Sequence, residues 1–185
     1  MKNKETFTTR DGRQLTIRYM RDNDAALLVD MFHHLSARTK RFRFHSYVEK
    51  LPDEQVWRKA VALSTLDPRR QVALVAIWRA GDGDHAVGVA RFSRAAPDDI
   101  EAEAAIVVRD DFQRAGLGTC LMFRLMHIAH SMGIRYIMAW VMAENRQVLR
   151  MLQKSGLPHK QSTSRGETKL SVSIAEIDKL WTKFE

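Results

Sequence analysis

The pattern of apolar positions predicts a strand, two helices and three further strands in the first half of the chain. Apolar and polar residues alternate from Leu15 to Tyr19, which is the two-residue period of a half-buried strand. Asp22 or Asn23 can cap the next helix, and Gly81–Asp84 is a strong hairpin signal between two β-rich runs. The predicted elements are a strand Leu15–Met20, a helix ending at Leu35, a helix from Pro52 to Leu63, and strands Gln71–Trp78, Ala86–Phe92 and Glu101–Val108.

From Leu117 the apolar residues recur at helical spacing, and Gly133 ends that run as a left-handed cap. The elements predicted after it are a strand Tyr136–Val141, a helix Glu144–Ser155 ended by Gly156, a strand Lys169–Val172 and a helix Ile174–Phe184 opened by the capping-box pair Ser173 and Glu176. This order predicts an α/β fold with a mixed central sheet covered by helices on both faces. We expect a single domain over residues 1–185, with 174–184 as an extra C-terminal helix that packs on the domain or on a second copy in a homodimer.

Composition narrows the classes of protein to which the chain can belong. Its 185 residues contain one cysteine, Cys120, so an intrachain disulfide is excluded. No apolar run is long enough to span a bilayer, and the polar N-terminus has no apolar segment of the secretory type, so we expect a cytoplasmic protein. The net charge of +8 suggests an anionic partner, which can be a nucleotide cofactor, a nucleic acid or an acidic protein. Solubility alone is the alternative explanation of the charge.

The segment Val107–Thr119 predicts a phosphate-binding loop. A strand leads directly into a turn that contains Gly116 and Gly118, and the turn opens a helix. Helix N-terminal amides have no partner within the helix and carry partial positive charge, so an anion can bind there, and Arg114 adds a full charge. The loop has no Gly-Lys-Ser/Thr sequence, and Leu121 stands where a dinucleotide fingerprint needs its third glycine. On this segment alone, an ordinary strand–turn–helix corner remains an alternative.

The loop also carries a family resemblance. Gln113–Gly118 reads Q-R-A-G-L-G and matches the Q/R-x-x-G-x-G/A signature of the GCN5-related N-acetyltransferase (GNAT) superfamily. A second block, Glu144–Arg146 followed by Lys154–Leu157, resembles the family's "EN…GF" segment. The element order is also similar, so the resemblance covers nearly the whole chain. Within the superfamily, the chain most resembles the catalytic domain of bacterial protein lysine acetyltransferases.

The resemblance implies that acetyl-CoA is the co-substrate and that the central sheet is largely antiparallel, with two strands splayed apart to admit the pantetheine arm. It implies an oxyanion contact from a backbone amide near Val108. Asn145 matches the asparagine that steadies the pantetheine, although a helix N-cap is an equally good role for it. The cofactor-binding residues carried over in this way are Val107, Val108, Arg109, Gln113, Arg114, Ala115, Gly116, Leu117, Gly118, Thr119 and Asn145.

Acetyl transfer to a protonated amine needs a base, and Glu103 is the predicted one. Glu101 and Glu103 are two residues apart on a strand and therefore share a face, roughly 6.5–7 Å apart. The apolar neighbours of Glu103 predict a partly buried carboxylate, which would be a stronger base than a solvated one. Glu103 also resembles the position of the glutamate base in bacterial protein lysine acetyltransferases. A solvated strand carboxylate is the alternative for Glu103 and the favoured role for Glu101.

The general acid is not evident from the sequence. Many members of the superfamily have a tyrosine where this chain has Leu152, so the usual acid is absent. Tyr136 and Tyr47 are fallback candidates. Cys120 lies at a helix N-terminus, where the pKa of a thiol can fall, so an acetyl-cysteine intermediate is an alternative to a buried core residue.

The acceptor is predicted to be an amine, and a protein lysine is favoured by the resemblance. A closed acidic pocket near Glu101 and Glu103 would favour a small amine, an amino acid or an antibiotic instead, and an open groove would favour a protein. The basic, aromatic segment Ser36–Lys50 resembles the acceptor-side stretch of protein-acetylating members, but it can also be a solvated helix face or bind RNA. A non-catalytic CoA-sensing module is a further alternative. His127 and His130 have no evident third ligand, so no metal is expected.

Overall fold

The structure, a computed structural model, describes residues 4–45 and 51–181. Its strands form a single eight-stranded sheet with the order β1-β2-β3-β4-β5-β6-β8-β7. The strands are β1 (Lys4–Thr8), β2 (Gln14–Tyr19), β3 (Gln71–Ala80), β4 (Gly83–Ser93), β5 (Glu101–Val108), β6 (Tyr136–Met142), β7 (His159–Ser164) and β8 (Glu167–Ser173). Every neighbouring pair is antiparallel except β5 and β6, which are parallel. The predicted mixed α/β sheet is therefore confirmed.

Helices cover both faces of this sheet. They are α1 (Ala25–His34), α2 (Ala37–Phe44), α3 (Asp53–Ser64), α4 (Leu117–Ser131), α5 (Arg146–Ser155) and α6 (Ile177–Trp181), and a short 3₁₀ turn, Asp110–Phe112, comes directly after β5. The larger core lies between the sheet and α4, where Leu117, Leu121 and Leu125 are fully buried. A second core, which includes Met31 and Leu35, lies beneath α1 on the opposite face. No helix in the described ranges is long and apolar enough to cross a membrane.

Strands β5 and β6 pair only at their beginnings. Glu101–Glu103 pair with Tyr136–Met138, and from Ala104 onward the two strands are no longer paired. The opposite edge of β5 stays paired with β4 as far as Val108. The sheet therefore opens along the last five residues of β5, as the resemblance implied.

Two strands were not predicted, because neither shows an alternating apolar pattern. All six residues of β7 are exposed, and β1 is exposed except at Phe7. Both lie at the edges of the sheet and contribute backbone pairing rather than buried side chains. Such strands leave no period-two signal in a sequence.

The predicted N-cap of α1 is wrong. The structure places Asp24 at the cap position, ahead of which Asp22 and Asn23 are exposed. The buried Asp24 carboxylate does not cap the helix but accepts hydrogen bonds from both terminal nitrogens of Arg18, at 2.6 and 2.7 Å, and from the Arg21 amide. The ion pair with Arg18 of β2 fixes the orientation of the Asp24 carboxylate.

The predicted C-terminal helix begins later than expected. Ser173 remains in β8, where it pairs with Tyr136, and α6 begins at Ile177 rather than at Ile174. Ile177 is fully buried, and the Asp178 carboxylate pairs with His127 and His130 of α4 at 3.0 and 3.3 Å. This places α6 against α4 of the same chain, while residues 182–184 lie outside the described ranges.

Gly88 sets the distance between β4 and α4. A methyl group built on it would lie 2.9 Å from Leu121 Cδ1 and 3.0 Å from Leu117 Cδ2, both in fully buried side chains. We expect Gly88→Ala to lower the free energy of unfolding by about 1–3 kcal/mol, since overpacking a filled core forces side chains from their rotamers. Denaturant unfolding measures this, with Gly81→Ala as the control because no atom lies within 4 Å of its added methyl group. Equal stability of the two variants would contradict this account of the β4–α4 contact.

Candidate acetyl-CoA and acceptor site

The glycine-containing loop presents free amides at the start of α4. Gly116 has a left-handed backbone with φ of 90° and occupies the N-cap position. Cys120 is the first residue of α4 whose amide bonds within the helix, to Gly116 O at 3.1 Å. The amides of Leu117, Gly118 and Thr119 therefore precede the helical hydrogen-bond ladder and can bind an anion. Arg114 lies beside them, also with a positive φ, of 60°.

The missing side chain of Gly118 keeps open the space between the loop and β5. A methyl group at this position would meet Val108 Cγ2 at 3.7 Å and Ile106 Cδ1 at 3.9 Å. Any larger side chain would occupy the space where the open part of β5 faces α4. A narrow cofactor arm fits there beside a glycine, so the loop and strand suit a nucleotide with a long linear arm.

The open edge of β5 exposes the main-chain groups of alternate residues. Ile100 O accepts the amides of Arg135 and Tyr136 on the β6 side, whereas Arg109 N–H donates to Val87 O on the β4 side. Main-chain groups alternate between the two edges of a strand, so Ile106 and Val108 direct theirs into the gap, and Val107 directs its groups to β4. This alternation adds Ile106, which was not predicted, and directs the Val108 amide into the gap, whereas the main-chain groups of Val107 face β4.

Arg109 is not placed to meet a cofactor with its side chain. It is 6% exposed and bonds Asp111 through two nitrogens at 2.7 and 2.8 Å. Its guanidinium also lies 5.1 Å from the centre of the Phe112 ring. The Arg109 side chain therefore pairs within the loop and its amide pairs with Val87 of β4, while its cofactor contact stays a prediction.

Gln113 ties the loop to α2. Its Nε2 donates to Val108 O at 3.0 Å and to Thr39 Oγ1 at 3.2 Å. Nearby, the Asp110 carboxylate accepts from the Ser36 amide, the Ser36 hydroxyl and the Thr39 hydroxyl. Burial would raise the pKa of Asp110, but these hydrogen bonds outweigh it and lower the pKa. The signature glutamine thus holds the end of β5 rather than pointing into the anion site.

Asn145 serves as the N-cap of α5. Its Oδ1 accepts from the Val148 amide at 3.4 Å, and the side chain is half-buried. Within the described residues its Nδ2 makes no hydrogen bond. The capping role, one of the two alternatives from the sequence, is the one the structure shows.

Glu103 lies at the fork between β5 and β6. It is the last residue of β5 that pairs with β6, opposite Met138, and it also pairs with Ser93 of β4. Its side chain is exposed, so the predicted partial burial is wrong. The reason is that Glu103 points away from α4, whereas the apolar residues Ala102 and Ala104 face the larger core.

A cavity of about 410 Å³ lies on the same face of β5 as Glu103, beneath α1, α2 and α3. This volume is in the range of small-molecule pockets, roughly 300–1,000 Å³. Ala105 and Val107 form part of its floor, so it adjoins the open segment of β5. Most of its other lining is apolar, and its charged members are Arg43, Arg91 and Lys59. Among the described residues, therefore, the acidic pocket expected for a small amine does not form.

Cys120 is not a nucleophile in this structure. Burial raises the pKa of its thiol to about 12, which leaves the thiolate scarce at neutral pH. The Arg124 Nε–H donates to the sulfur at 3.2 Å. The sequence correctly placed Cys120 at the helix N-terminus, but desolvation outweighs the helix dipole there. These surroundings favour the buried-core role of Cys120 over the acetyl-cysteine alternative.

No general acid replaces the missing tyrosine among the described residues. Leu152, which stands in α5 at the position of that tyrosine, is buried and lines a small apolar cavity. Tyr136 pairs with Glu101, at the start of β5 and roughly 23 Å along the strand from Val108, so it is too far away to serve. Tyr47 lies outside the described residues.

The basic, aromatic segment forms α2, and its side chains are mostly used within the fold. Lys40 is 9% exposed and lies 4.3 Å from the Phe32 ring centre, while Phe42 and Phe44 are half-buried. Stacking of nucleotide bases needs exposed rings, so this helix does not favour RNA binding. The remainder of the segment, residues 46–50, lies outside the described ranges.

No metal site is evident in the part of the chain that the structure describes. His127 and His130 pair with Asp178. Residues 4–45 and 51–181 contain no cluster of three or more side chains that could ligate a metal ion.

Arg10 is a candidate anion-binding residue that sequence reasoning missed. Its amide donates to Ala115 O at 3.1 Å, and its Nε lies 3.8 Å from a methyl group built on Gly116. Arg10 is exposed, so it and Arg114 bring two cations to the free amides of the loop. The link joins the β1–β2 turn to the loop across more than 100 residues of sequence, and nothing local in the sequence indicates it.

We expect Arg10→Gln to weaken CoA binding by roughly three- to tenfold, because one exposed charge beside a phosphate is removed while the Arg10 amide contact remains. Isothermal titration calorimetry with CoA measures the effect, and the difference from wild type should shrink at high salt. Arg69→Gln, ahead of β3 and distant from the loop, is the matched surface control. Equal affinity of Arg10→Gln and Arg69→Gln would remove Arg10 from the site.

An open strand edge, a glycine-containing loop and the free N-terminus of α4 together define a class of CoA-dependent acyltransferases. The comparisons with known proteins agree with this geometry. The family described as the acetyltransferase (GNAT) domain matches residues 14–158. The chain is 28% identical to acetyltransferase PA5475 of Pseudomonas aeruginosa over 136 residues, which are 74% of this chain and 70% of that protein.

Solved structures show the same fold. The GNAT domain of S. lividans PAT superposes with a TM-score of 0.76 at 25% identity, over 92% of this chain and 96% of that one. A cAMP-binding acyltransferase from Mycobacterium smegmatis superposes with a TM-score of 0.63 at 19% identity, and the match covers 96% of this chain but 49% of that one. The chain therefore belongs to the GNAT family and is an N-acetyltransferase with acetyl-CoA as co-substrate.

Proposed function

We propose that the protein transfers an acetyl group directly from acetyl-CoA to a primary amine, with Glu103 as the proton acceptor. The observation that carries this proposal is the arrangement of β5. Its open edge offers the main-chain groups of Ile106 and Val108, its floor residues line the cavity, and Glu103 lies on the cavity's face. Donor, acceptor and base thus meet along one strand.

The donor side uses backbone more than side chains. The amides of Leu117, Gly118 and Thr119 bind the pyrophosphate, Ala115 and Gly116 shape the turn, and Arg114 and Arg10 add positive charge. Gln113 acts by holding Val108 in place. The pantetheine arm pairs with the main-chain groups of Ile106, and the Nδ2 of Asn145 donates to it across the gap.

The transfer step needs a neutral amine. Glu103, directly or through water, takes a proton from the ammonium group of the acceptor, and the nitrogen then attacks the thioester carbonyl carbon. The C–N bond forms, negative charge builds on the carbonyl oxygen, and the amide of Val108 stabilises it. The nitrogen releases its second proton to solvent, and the C–S bond breaks with its electron pair on sulfur. The thiolate takes up a proton from solvent, because no described side chain is placed to supply it.

Two acceptor classes are supported by different observations. A protein lysine is supported by the likeness to the GNAT domain of S. lividans PAT. A small amine is supported by the cavity, since its volume of about 410 Å³ is that of a small-molecule pocket. Both classes use the same donor site and the same base.

A free-thiol release assay with acetyl-CoA tests this proposal. The acceptor panel contains small amines, free amino acids and a lysine-containing protein mixture, and mass spectrometry identifies the acetylated product. We expect one thiol released for each acetyl group transferred. Binding of acetyl-CoA without thiol release from any acceptor would overturn the proposed activity and favour a CoA-sensing module.

A further inference from the structure

The cavity beneath α1–α3 is apolar over most of its lining. Its walls include Met31, Leu35, Phe44, Val56, Val89 and Val107. Two guanidinium groups line it as well, Arg43 from the last turn of α2 and Arg91 from β4. Both side chains are half-buried, although arginine is seldom found away from water without a partner.

Neither guanidinium is neutralised by the described part of the chain. Arg91 donates one hydrogen bond, to Leu63 O at 3.4 Å, and Arg43 donates none to a described residue. No salt bridge forms with either one among those residues. A guanidinium has five N–H donors, so most of these remain available, and no fully buried polar atom of the described residues lacks a partner. Both arginines line the cavity, so these donors border it.

The two arginines influence each other. Burial lowers the pKa of the Arg43 guanidinium, Arg91 lowers it further, and Glu103 raises it. Burial also lowers the pKa of Arg91. Two like charges that share an apolar cavity are unfavourable unless an anion joins them. Glu103 is near enough to attract Arg43, but the structure shows no salt bridge between the two.

We propose that this cavity binds the carboxylate and the apolar side chain of a hydrophobic α-amino acid, which is the acceptor of the acetyl group. This inference rests on the proposed function and names its substrate class. The carboxylate lies against Arg43 and Arg91, a geometry that arginine suits because its planar fork binds carboxylates through two hydrogen bonds. The side chain fills the apolar part of the cavity.

Charge complementarity selects an amino acid over a simple amine. An α-amino acid carries a carboxylate and an ammonium group on the same carbon, and the cavity places two cations near one carboxylate, Glu103. The ammonium group faces Glu103 and loses a proton to it. The α-nitrogen then replaces sulfur at the acetyl carbon, giving the N-acetylamino acid and CoA as its thiol. A lysine within a protein has no carboxylate to offer, and its cation would approach two like charges.

The experiment compares acceptors that differ only in the carboxylate. Initial rates of thiol release are measured with L-phenylalanine and with 2-phenylethylamine, and with L-leucine and 3-methylbutylamine. We expect kcat/KM to be at least about tenfold higher for each amino acid than for its decarboxylated partner. A tenfold ratio corresponds to the free energy of about one charge-assisted hydrogen bond. Arg43→Gln and Arg91→Gln should each raise KM for the amino acid by a larger factor than KM for the corresponding amine.

Controls separate this inference from the proposed function. Arg38→Gln, on the exposed side of the same helix α2, should behave as wild type. Calorimetric binding of CoA and the thermal midpoint should be unchanged in Arg43→Gln, which shows that the donor site and the fold are intact. Arg43→Lys, which keeps the charge but not the fork, should recover part of the loss.

Several results would overturn the inference while leaving acetyl transfer in place. These are release of thiol with protein or lysine peptides but not with the amino acids, equal kcat/KM for each amino acid and its amine, or full activity of Arg43→Gln and Arg91→Gln on L-phenylalanine. Absence of thiol release from every acceptor, despite CoA binding, would instead overturn the proposed function itself.

Discussion

Glu103→Gln is expected to lower kcat/KM at pH 7 by roughly 10²-fold or more, the usual contribution of a general base. The change keeps the size of the side chain and removes its ability to accept a proton. Glu103 is exposed, so the substitution should not affect folding. The affinity for CoA should also remain, because Glu103 lies at the paired end of β5, away from the loop.

The pH dependence distinguishes a base from a binding residue. A lysine-type amine has a pKa near 10.4. As long as the pH is below this pKa, the neutral fraction of the amine increases about tenfold for each unit by which the pH is raised. The rate of the variant should therefore rise with pH, and its deficit against wild type should narrow. A residue that only bound the acceptor would leave a deficit that does not depend on the amine's protonation.

Glu101→Gln provides the matched control for this experiment. Glu101 is exposed on the same face of β5, two residues from Glu103, and it pairs with Tyr136 at the start of the strand. Glu101→Gln should have the same pH–rate profile as the wild type. Full activity of Glu103→Gln at pH 7, or equal losses in the two variants, would show that the base lies elsewhere.

Gly116→Ala is expected to weaken CoA binding at least about tenfold, because reorienting the loop removes several amide hydrogen bonds to charged phosphate oxygens. Gly116 has φ of 90°, in the left-handed region where a side chain is strained. Its added methyl group would also contact Phe7 and Arg10 at 3.6 and 3.8 Å. The loop must therefore shift, or the chain must hold an unfavourable conformation.

A general loss of stability could also weaken CoA binding, so the control variant introduces the same backbone strain at a position away from the loop. Gly133 has φ of 85° at the other end of α4, and no atom lies within 4 Å of its added methyl group. Both variants should lose about 1–2 kcal/mol of the free energy of unfolding, the cost of a left-handed non-glycine residue. Only Gly116→Ala should also lose affinity for CoA in calorimetry. Unchanged affinity would contradict the assignment of the loop.

Local sequence patterns located the loop and the helix on the donor side of the proposed site, although they did not indicate Arg10 or Ile106. Gly116 marks a left-handed turn that a residue without a side chain adopts at low cost, and the helical period from Leu117 onward identifies α4. The two-residue period of β5 likewise placed Glu101 and Glu103 on one face. These features depend on residues close together in the sequence, so they can be inferred before the fold is known.

Errors arose where the packed structure decides a side chain's surroundings. Arg109 was expected to offer backbone groups to the cofactor, but its amide pairs with Val87 O and its side chain pairs with Asp111. A thiol at a helix N-terminus can be activated, but packing around α4 desolvates Cys120. Glu103 looked partly buried from its neighbours in sequence, yet alternate residues of a strand point to opposite faces, and its own face is open.

The sequence by itself determined the fold class and the family, and it located the proposed phosphate loop and the glutamate proposed as the base, because each depends on short-range periodicity or on a contiguous motif. The tertiary structure decided which backbone groups of β5 face the gap, which cation of the β1–β2 turn reaches the loop, and the meeting of Arg43 with Arg91 in one cavity. The physical reason is that α2 and β4 are brought together only when the helices pack on the sheet. The chemistry of the acceptor cavity is therefore a property of the packed layers and cannot be read from any one segment.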